Sequence, residues 1–218
     1  MDPKRLTNEL IADSFKSLLS KKDFKKITVK MIAAESGFMR STFYNYFQDK
    51  YEILEWIVKT DIYDKIDPYV TNEAYYDAFQ KVFKCIEEDK EFYKKAFQID
   101  GQNGFEEILA KEFSKLFIKA YSSAGFESDN PIVTLETISQ YQSLALIMYI
   151  RMWVCDGCYG NAGYEEVCEA YVVMLFHGGS LVSTSKLIEL AAGKLWTTIP
   201  SHLKKITDLI GKKNRLKK

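Results

Sequence analysis

Arg40, Ser41, Thr42, Tyr44 and Asn45 bring a guanidinium, two hydroxyls, a phenol and a carboxamide into six consecutive positions. Such a set can bond base edges and phosphate oxygens in a major groove, provided that one short helix presents it outward. Phe43 and Phe47, four apart, supply the inward anchor together with Phe38, which leaves the polar residues on the exposed side. Lys50, just after Asp49, would open the next helix, where backbone N–H groups and an ammonium together suit a phosphate. The competing chemistry is metal binding. Cys155-x-x-Cys158, Cys168 and His177 offer four zinc-type ligands in a short span. On one predicted helix, however, Cys168 and His177 stand about 900° of rotation apart and face opposite ways. Cys85 lies in another helix, so no fourth ligand is evident and no metal is expected. Nor is an enzyme expected: there are two histidines, His177 and His202, with no phosphate loop and no nucleophile elbow.

The elements that must position the polar set are two short helices and a turn. Thr28 has the hydroxyl of an N-cap, and Val29, Ile32 and Ala33 recur at i, i+3, i+4 on a helix of about two turns. Gly37 follows the last periodic residue and can take φ > 0, which lets the chain reverse into a second helix over roughly Arg40 to Phe47. Thr28 to Lys50 thus reads as a helix-turn-helix.

ITVKMIAAESG (27–37) followed by RSTFYNYFQDKYEIL (40–54) resembles the signature of the tetracycline-repressor (TetR) family of bacterial transcription regulators. The resemblance covers only the first fifty-odd residues. It implies that Lys30, Arg40, Thr42, Tyr44 and Asn45 approach bases, while Thr28, Ser41, Tyr46 and Lys50 hold the backbone of double-stranded operator DNA. It also implies a small-molecule effector and a homodimer. Met39 departs from the family, which has a small polar capping residue there. MYIRMWVCDG (148–157) is similar to a stretch in regulators related to the dihydroxyacetone-kinase operon activator, which would permit activation where the wider family implies repression.

Net charge is zero over 218 residues, but its distribution is uneven. Residues 1–50 carry ten Lys/Arg against six Asp/Glu, residues 51–193 twelve against twenty-three, and residues 194–218 eight against one. A basic head on an acidic body keeps a duplex at one end of the molecule, because the body repels the phosphates that the head attracts. With 47% hydrophobic residues, four prolines and eleven glycines, the chain is expected to be globular and all-α. The longest apolar run, Leu144 to Ile150, falls far short of a membrane span, and no apolar leader is evident. Four cysteines without a disulfide framework add to the expectation of a soluble, cytoplasmic protein with no membrane partner.

An opening helix over Lys4 to Leu19, with Leu6, Leu10, Ile11, Phe15, Leu18 and Leu19 as its apolar face, is expected to cover the helix-turn-helix and complete a DNA-binding domain over 1–50. A connecting helix over 51–66 should end at Asp67-Pro68, since the residue before proline is biased out of the α region. Residues 67–193 form the effector-binding and dimerisation domain, with helices over Asn72 to Glu88, Glu91 to Gln98, Phe105 to Ser122, Pro131 to Cys155 and Tyr164 to His177. Phe79, Phe83, Phe113, Phe117, Tyr121, Tyr141, Tyr149 and Trp153 are the candidates for a cavity lining, although an aromatic stripe is more often plain core. The last two helices are too apolar for one subunit to cover, and Leu146, Tyr164, Tyr171 and Leu175 are the candidates for a twofold interface. Arg151 faces an anionic ligand or, as the acidic body favours, pairs with a carboxylate. The basic extension over 194–218 fits a capping amphipathic helix with a solvated end, a DNA-binding arm or a membrane-surface helix, the first being preferred. The expectation is a ligand-responsive regulator, acting as a repressor on a palindrome. The alternative is a helix-turn-helix that binds a protein partner instead of DNA.

Overall fold

The computed structural model describes residues 3–101 and 103–181, with side chains as far as Leu175; the extension over 194–218 and His202 lie outside them, as does the side chain of His177. The described residues contain helices and no strand. Helix α1 (Pro3–Lys21) leads through a 3₁₀ turn (Phe24–Lys26) to α2 (Val29–Glu35) and α3 (Arg40–Tyr44). The buried side of α1 is Ile11, Ala12, Ser14, Phe15, Leu18 and Leu19, which packs on α2 and on α4 (Lys50–Val58). Leu6 and Leu10, expected on that face, are exposed, and the buried side of α1 begins at Ile11.

No helix end marks the expected boundary at Asp67-Pro68. The helix that starts at Lys50 continues through a π-helical turn (Lys59–Tyr63) into α5 (Asp64–Thr71), with Pro68 inside it. Proline removes the bond its N–H would have given to the Asp64 carbonyl, a single loss in a turn held otherwise. Buried Ile66 and Val70 hold the turn on the core, and Lys119 from a later helix bonds both Asp67 and Thr71. The stop comes at Glu73, whose positive φ of 56° lets the Ala74 N–H reach back to the Tyr69 carbonyl.

Beyond this point lie α6 (Tyr75–Glu88), α7 (Lys90–Ala96), α8 (Phe105–Ser123), α9 (Leu135–Val154) and α10 (Tyr164–Leu181). Helix α9 starts four residues after Pro131, where a helix start was expected, because Thr134 and Thr137 form a reciprocal capping box that satisfies the first-turn donors. Helices α8 and α9 run against each other along most of their length, and α10 lies on α6. Small side chains allow the close approach: Ser139 and Ser143 of α9 are fully buried, and Ser143 meets Ser114 of α8 at 3.2 Å.

A single hydrophobic cluster runs without interruption from Ile11 to Val172, joining the N-terminal helices to the rest. A half-buried charge marks the joint. Lys16 of α1 donates to Asp61 in the π-helical turn at 2.7 Å and to Asp89 between α6 and α7 at 2.8 Å, over the ring of Phe92. Burial pulls this ammonium down, but the two carboxylates outweigh it and hold the group above the ordinary lysine value.

Candidate nucleic-acid interface

Thr28 caps α2: its backbone is extended and its hydroxyl accepts from the Met31 N–H at 3.3 Å. Gly37 ends the helix with φ +74°, and the Phe38 N–H returns to the Ala33 carbonyl at 2.9 Å. A Cβ on Gly37 would touch nothing, so the backbone angle and not crowding requires glycine there. The reversal delivers α3. It is only five residues long, although the Phe47 N–H still bonds the Phe43 carbonyl, so the helical path reaches the expected end at Phe47.

Phe43 is fully buried and meets Phe47 at 6.1 Å, and Phe47 in turn stands edge-on to Trp56 of α4. These anchors fix which side of α3 faces solvent. Arg40, Ser41, Tyr44 and Asn45 are exposed and Thr42 and Tyr46 half-buried, while Lys30 of α2 is exposed as well. The Arg40 guanidinium donates from Nη2 to the Tyr44 hydroxyl at 3.0 Å, and the Tyr44 ring rests edge-on against Phe43 at 5.5 Å. Met39 sits at the N-cap with extended backbone and no side-chain cap, so the departure at this position leaves α3 without the usual hydroxyl partner.

Lys50 does not stand where its expected role required. Its Nζ donates to the carbonyls of Phe24 at 2.7 Å and Ile27 at 3.0 Å and lies 4.0 Å from the Phe24 ring. Burial pushes its pKa down, with Asp49 opposing the shift in part. The N–H groups at the start of α4 are also occupied: Asp49 accepts from Tyr51 and Glu52, and Glu52 accepts from the Gln48 N–H. An incoming phosphate would meet two carboxylates there. Lys50 ties α4 to the α1–α2 connection, a role that its spacing did not reveal.

Further along the chain, most of the aromatic candidates for a cavity lining pack on one another. Phe83 stands 6.0 Å from Tyr149 and 5.9 Å from Trp153, Phe79 6.4 Å from Phe117, and Phe117 stacks on Tyr121. Phe113 is buried in the same core. Tyr141 is a correction: it is 65% exposed on the outer side of α9 and lines nothing enclosed. Tyr171 joins the aromatic cluster at 5.3 Å from Phe79, and its buried hydroxyl has no partner among the described residues. Tyr121 is pushed up to about 12 by burial, which a hydrogen bond with Gln142 offsets only in part. An opening of about 210 Å³ lies elsewhere, in a shallow cleft lined by Tyr69, Asp77, Gln80, Lys81, Lys84 and Tyr164. Its sequence signal was the polar i, i+3, i+4, i+7 stripe of α6 at 77, 80, 81 and 84.

Of the interface candidates, Leu146 and Tyr171 are only 1% and 4% exposed within the subunit, while Tyr164 and Leu175 are half-buried. The inward side of α9 carries Leu146, so its outward side carries Tyr141, Leu144 and Met148, which are 65%, 52% and 56% exposed at i, i+3, i+7. Arg151 pairs with Glu106 of α8, as the acidic body favoured. Cys155 is half-buried at the end of α9, Cys158 exposed in the following turn and Cys168 fully buried in α10. Burial pushes the Cys155 and Cys168 thiols up, away from thiolate chemistry.

Residues 11–57 match the family model described as bacterial regulatory proteins, tetR family, and residues 73–162 match one described as a transcriptional regulator C-terminal region. The HTH-type dhaKLM operon transcriptional activator DhaS of Lactococcus lactis subsp. lactis (strain IL1403) is 28% identical over 154 residues, 70% of this chain and 81% of that protein. A solved structure of a dihydroxyacetone kinase operon activator DhaS superposes with TM-score 0.58 at 25% identity, covering 79% of this chain and 95% of the other. Two further structures share the fold. A TetR-family transcriptional regulator from Syntrophomonas wolfei has TM-score 0.59 at 19% identity, covering 84% and 98% of the two chains. Another, from Streptomyces coelicolor, has TM-score 0.56 at 11% identity, covering 98% and 100%.

Proposed function

The chain belongs to the tetR family of bacterial regulatory proteins and is a DNA-binding transcription regulator, and on that premise we propose that it binds a palindromic operator as a homodimer under the control of a small-molecule effector. The observation that carries the DNA-reading part is the orientation of α3, whose aromatic anchors are buried while Arg40, Ser41, Tyr44 and Asn45 face out. Two such helices in a dimer address half-sites about 34 Å apart, one helical turn of B-DNA. Arg40, Thr42, Tyr44, Asn45 and Lys30 contact bases in this reading, with Ser41, Tyr46 and Thr28 on the sugar-phosphate backbone.

The dimer forms through the outward stripe of α9. Between Glu136 and Arg151 this helix has no charged residue, so Tyr141, Leu144 and Met148 expose an apolar strip that a second copy of α9 covers. The effector enters among the helices behind α9. The unpartnered hydroxyl of Tyr171 supports a polar contact there, since a buried phenol ordinarily bonds something. Effector binding shifts the spacing of the recognition helices and hence operator affinity. The family likeness implies repression, while the name of the lactococcal relative supports activation. A regulator of this kind works in the cytoplasm, on chromosomal DNA, and catalyses nothing.

Selection of bound fragments from sheared genomic DNA by the full-length protein tests the whole. A palindromic consensus upstream of a small set of genes is expected, and a promoter fusion with and without the protein then gives the sign. Retention of all fragments alike at moderate salt would leave only non-specific binding and defeat the proposal.

A further inference from the structure

Building on that DNA-reading role, we infer that Arg40 and Tyr44 form one reading unit, in which Arg40 contacts a guanine and Tyr44 is the positioning residue that aims its guanidinium. Arginine presents five N–H donors in a planar fork, and its bidentate bond to guanine O6 and N7 is the commonest specific contact in a major groove. A free arginine on an exposed helix samples many rotamers and must lose that freedom on binding. Here the structure removes part of the freedom in advance. Nη2 is held at 3.0 Å by the Tyr44 hydroxyl, and the guanidinium carbon lies 5.5 Å from the Tyr44 ring centre.

The phenol is itself held. Its ring stands at 89° to the fully buried Phe43, which packs on Phe47 and through it on α4. The chain of support thus runs from the core, through two aromatic edges, to a cation on the surface. One donor spent on the phenol leaves four N–H groups, enough for a bidentate pair on a base. Because the phenol oxygen accepts from arginine, its own proton remains available to donate to a phosphate oxygen on the same strand. Spacing alone makes i and i+4 neighbours; the hydrogen bond makes them one determinant.

Enrichment of a random-sequence duplex pool by wild type, Arg40→Ala, Tyr44→Phe and the double variant, each as full-length protein, separates the possibilities. Wild type selects guanine at one position per half-site. Arg40→Ala loses that preference by about ten- to a hundredfold. Tyr44→Phe keeps the ring and its packing but loses the hydroxyl. It weakens the preference at the same position by about threefold or more, with thermal unfolding and the preferences at the other positions unchanged, while the lost phosphate bond lowers affinity for all duplexes alike. The double variant is no worse at that position than Arg40→Ala alone, because the two side chains act through one contact. Wild-type guanine preference in Tyr44→Phe, or losses that fall at different positions or multiply, overturns the pairing while leaving the regulator reading intact. A wild type that enriches no sequence overturns both.

Discussion

Lys50 shows how a side chain can be right for one task by type and employed in another by geometry. Its bonds to the Phe24 and Ile27 carbonyls tie α4 to the 3₁₀ turn, where the Phe24 carbonyl also accepts from the Ile27 N–H, so its loss should be felt in folding first. Lys50→Ala is expected to lower stability by about 1 kcal/mol, discounted for partial exposure, while the slope of DNA affinity against salt stays that of wild type. A slope reduced by about one unit would restore the phosphate role. At Met39 the backbone already has the extended form of an N-cap, with φ −73° and ψ 152°. A serine there would accept from the Thr42 N–H, and thermal unfolding of Met39→Ser should report a gain of about 1 kcal/mol.

Among the elements, the helix from Lys50 to Thr71 decides how the head is attached. Its π-helical turn carries Asp61, which meets Lys16 of α1, and Lys16 also reaches Asp89 beside α7. Lys16→Met would leave two carboxylates facing each other without the cation between them. The expected cost is about 1–2 kcal/mol, measured as urea unfolding, since the ammonium is largely but not wholly buried. The pH dependence has a definite sign. The folded pKa lies above the ordinary value of 10.5, so the lysine contributes fully below that pH and loses its contribution as pH rises through the folded pKa. The stability gap between wild type and variant should therefore be constant near neutrality and shrink above about pH 10.5, and a gap that persists at alkaline pH would assign the effect to packing on Phe92 instead.

For the whole molecule, the uneven charge of the sequence and the outward stripe of α9 have a common consequence. The acidic body is repelled by DNA, so a pair of heads reaches one duplex only when the bodies are joined on a face without charge. Leu144→Glu puts a carboxylate in the middle of that strip. On the proposed dimer, sedimentation is expected to show wild type at twice the subunit mass and the variant at the subunit mass, with operator affinity down at least tenfold and helix content unchanged. Glutamate substitution of Leu144 that leaves the wild-type mass would place the interface elsewhere.

Thr28, Gly37, Phe43 and Phe47 could be read directly from the sequence, because capping, a positive φ and i, i+4 anchoring are local physics that holds before any tertiary contact forms. The helical class and the outward polar face of α3 followed from them. Local rules failed wherever a distant partner decides the outcome. Pro68 stays in a helix because Lys119 and the core hold its turn. Lys50 turns inward because the 3₁₀ turn lies beneath it. Leu146 and Tyr141, five apart on one apolar helix, exchange their expected places because only the packing of α8 against α9 chooses which side of α9 is core. Periodicity says that a helix has an apolar face; it takes the neighbouring helix to say which of two apolar faces is buried within the chain and which is left for another molecule.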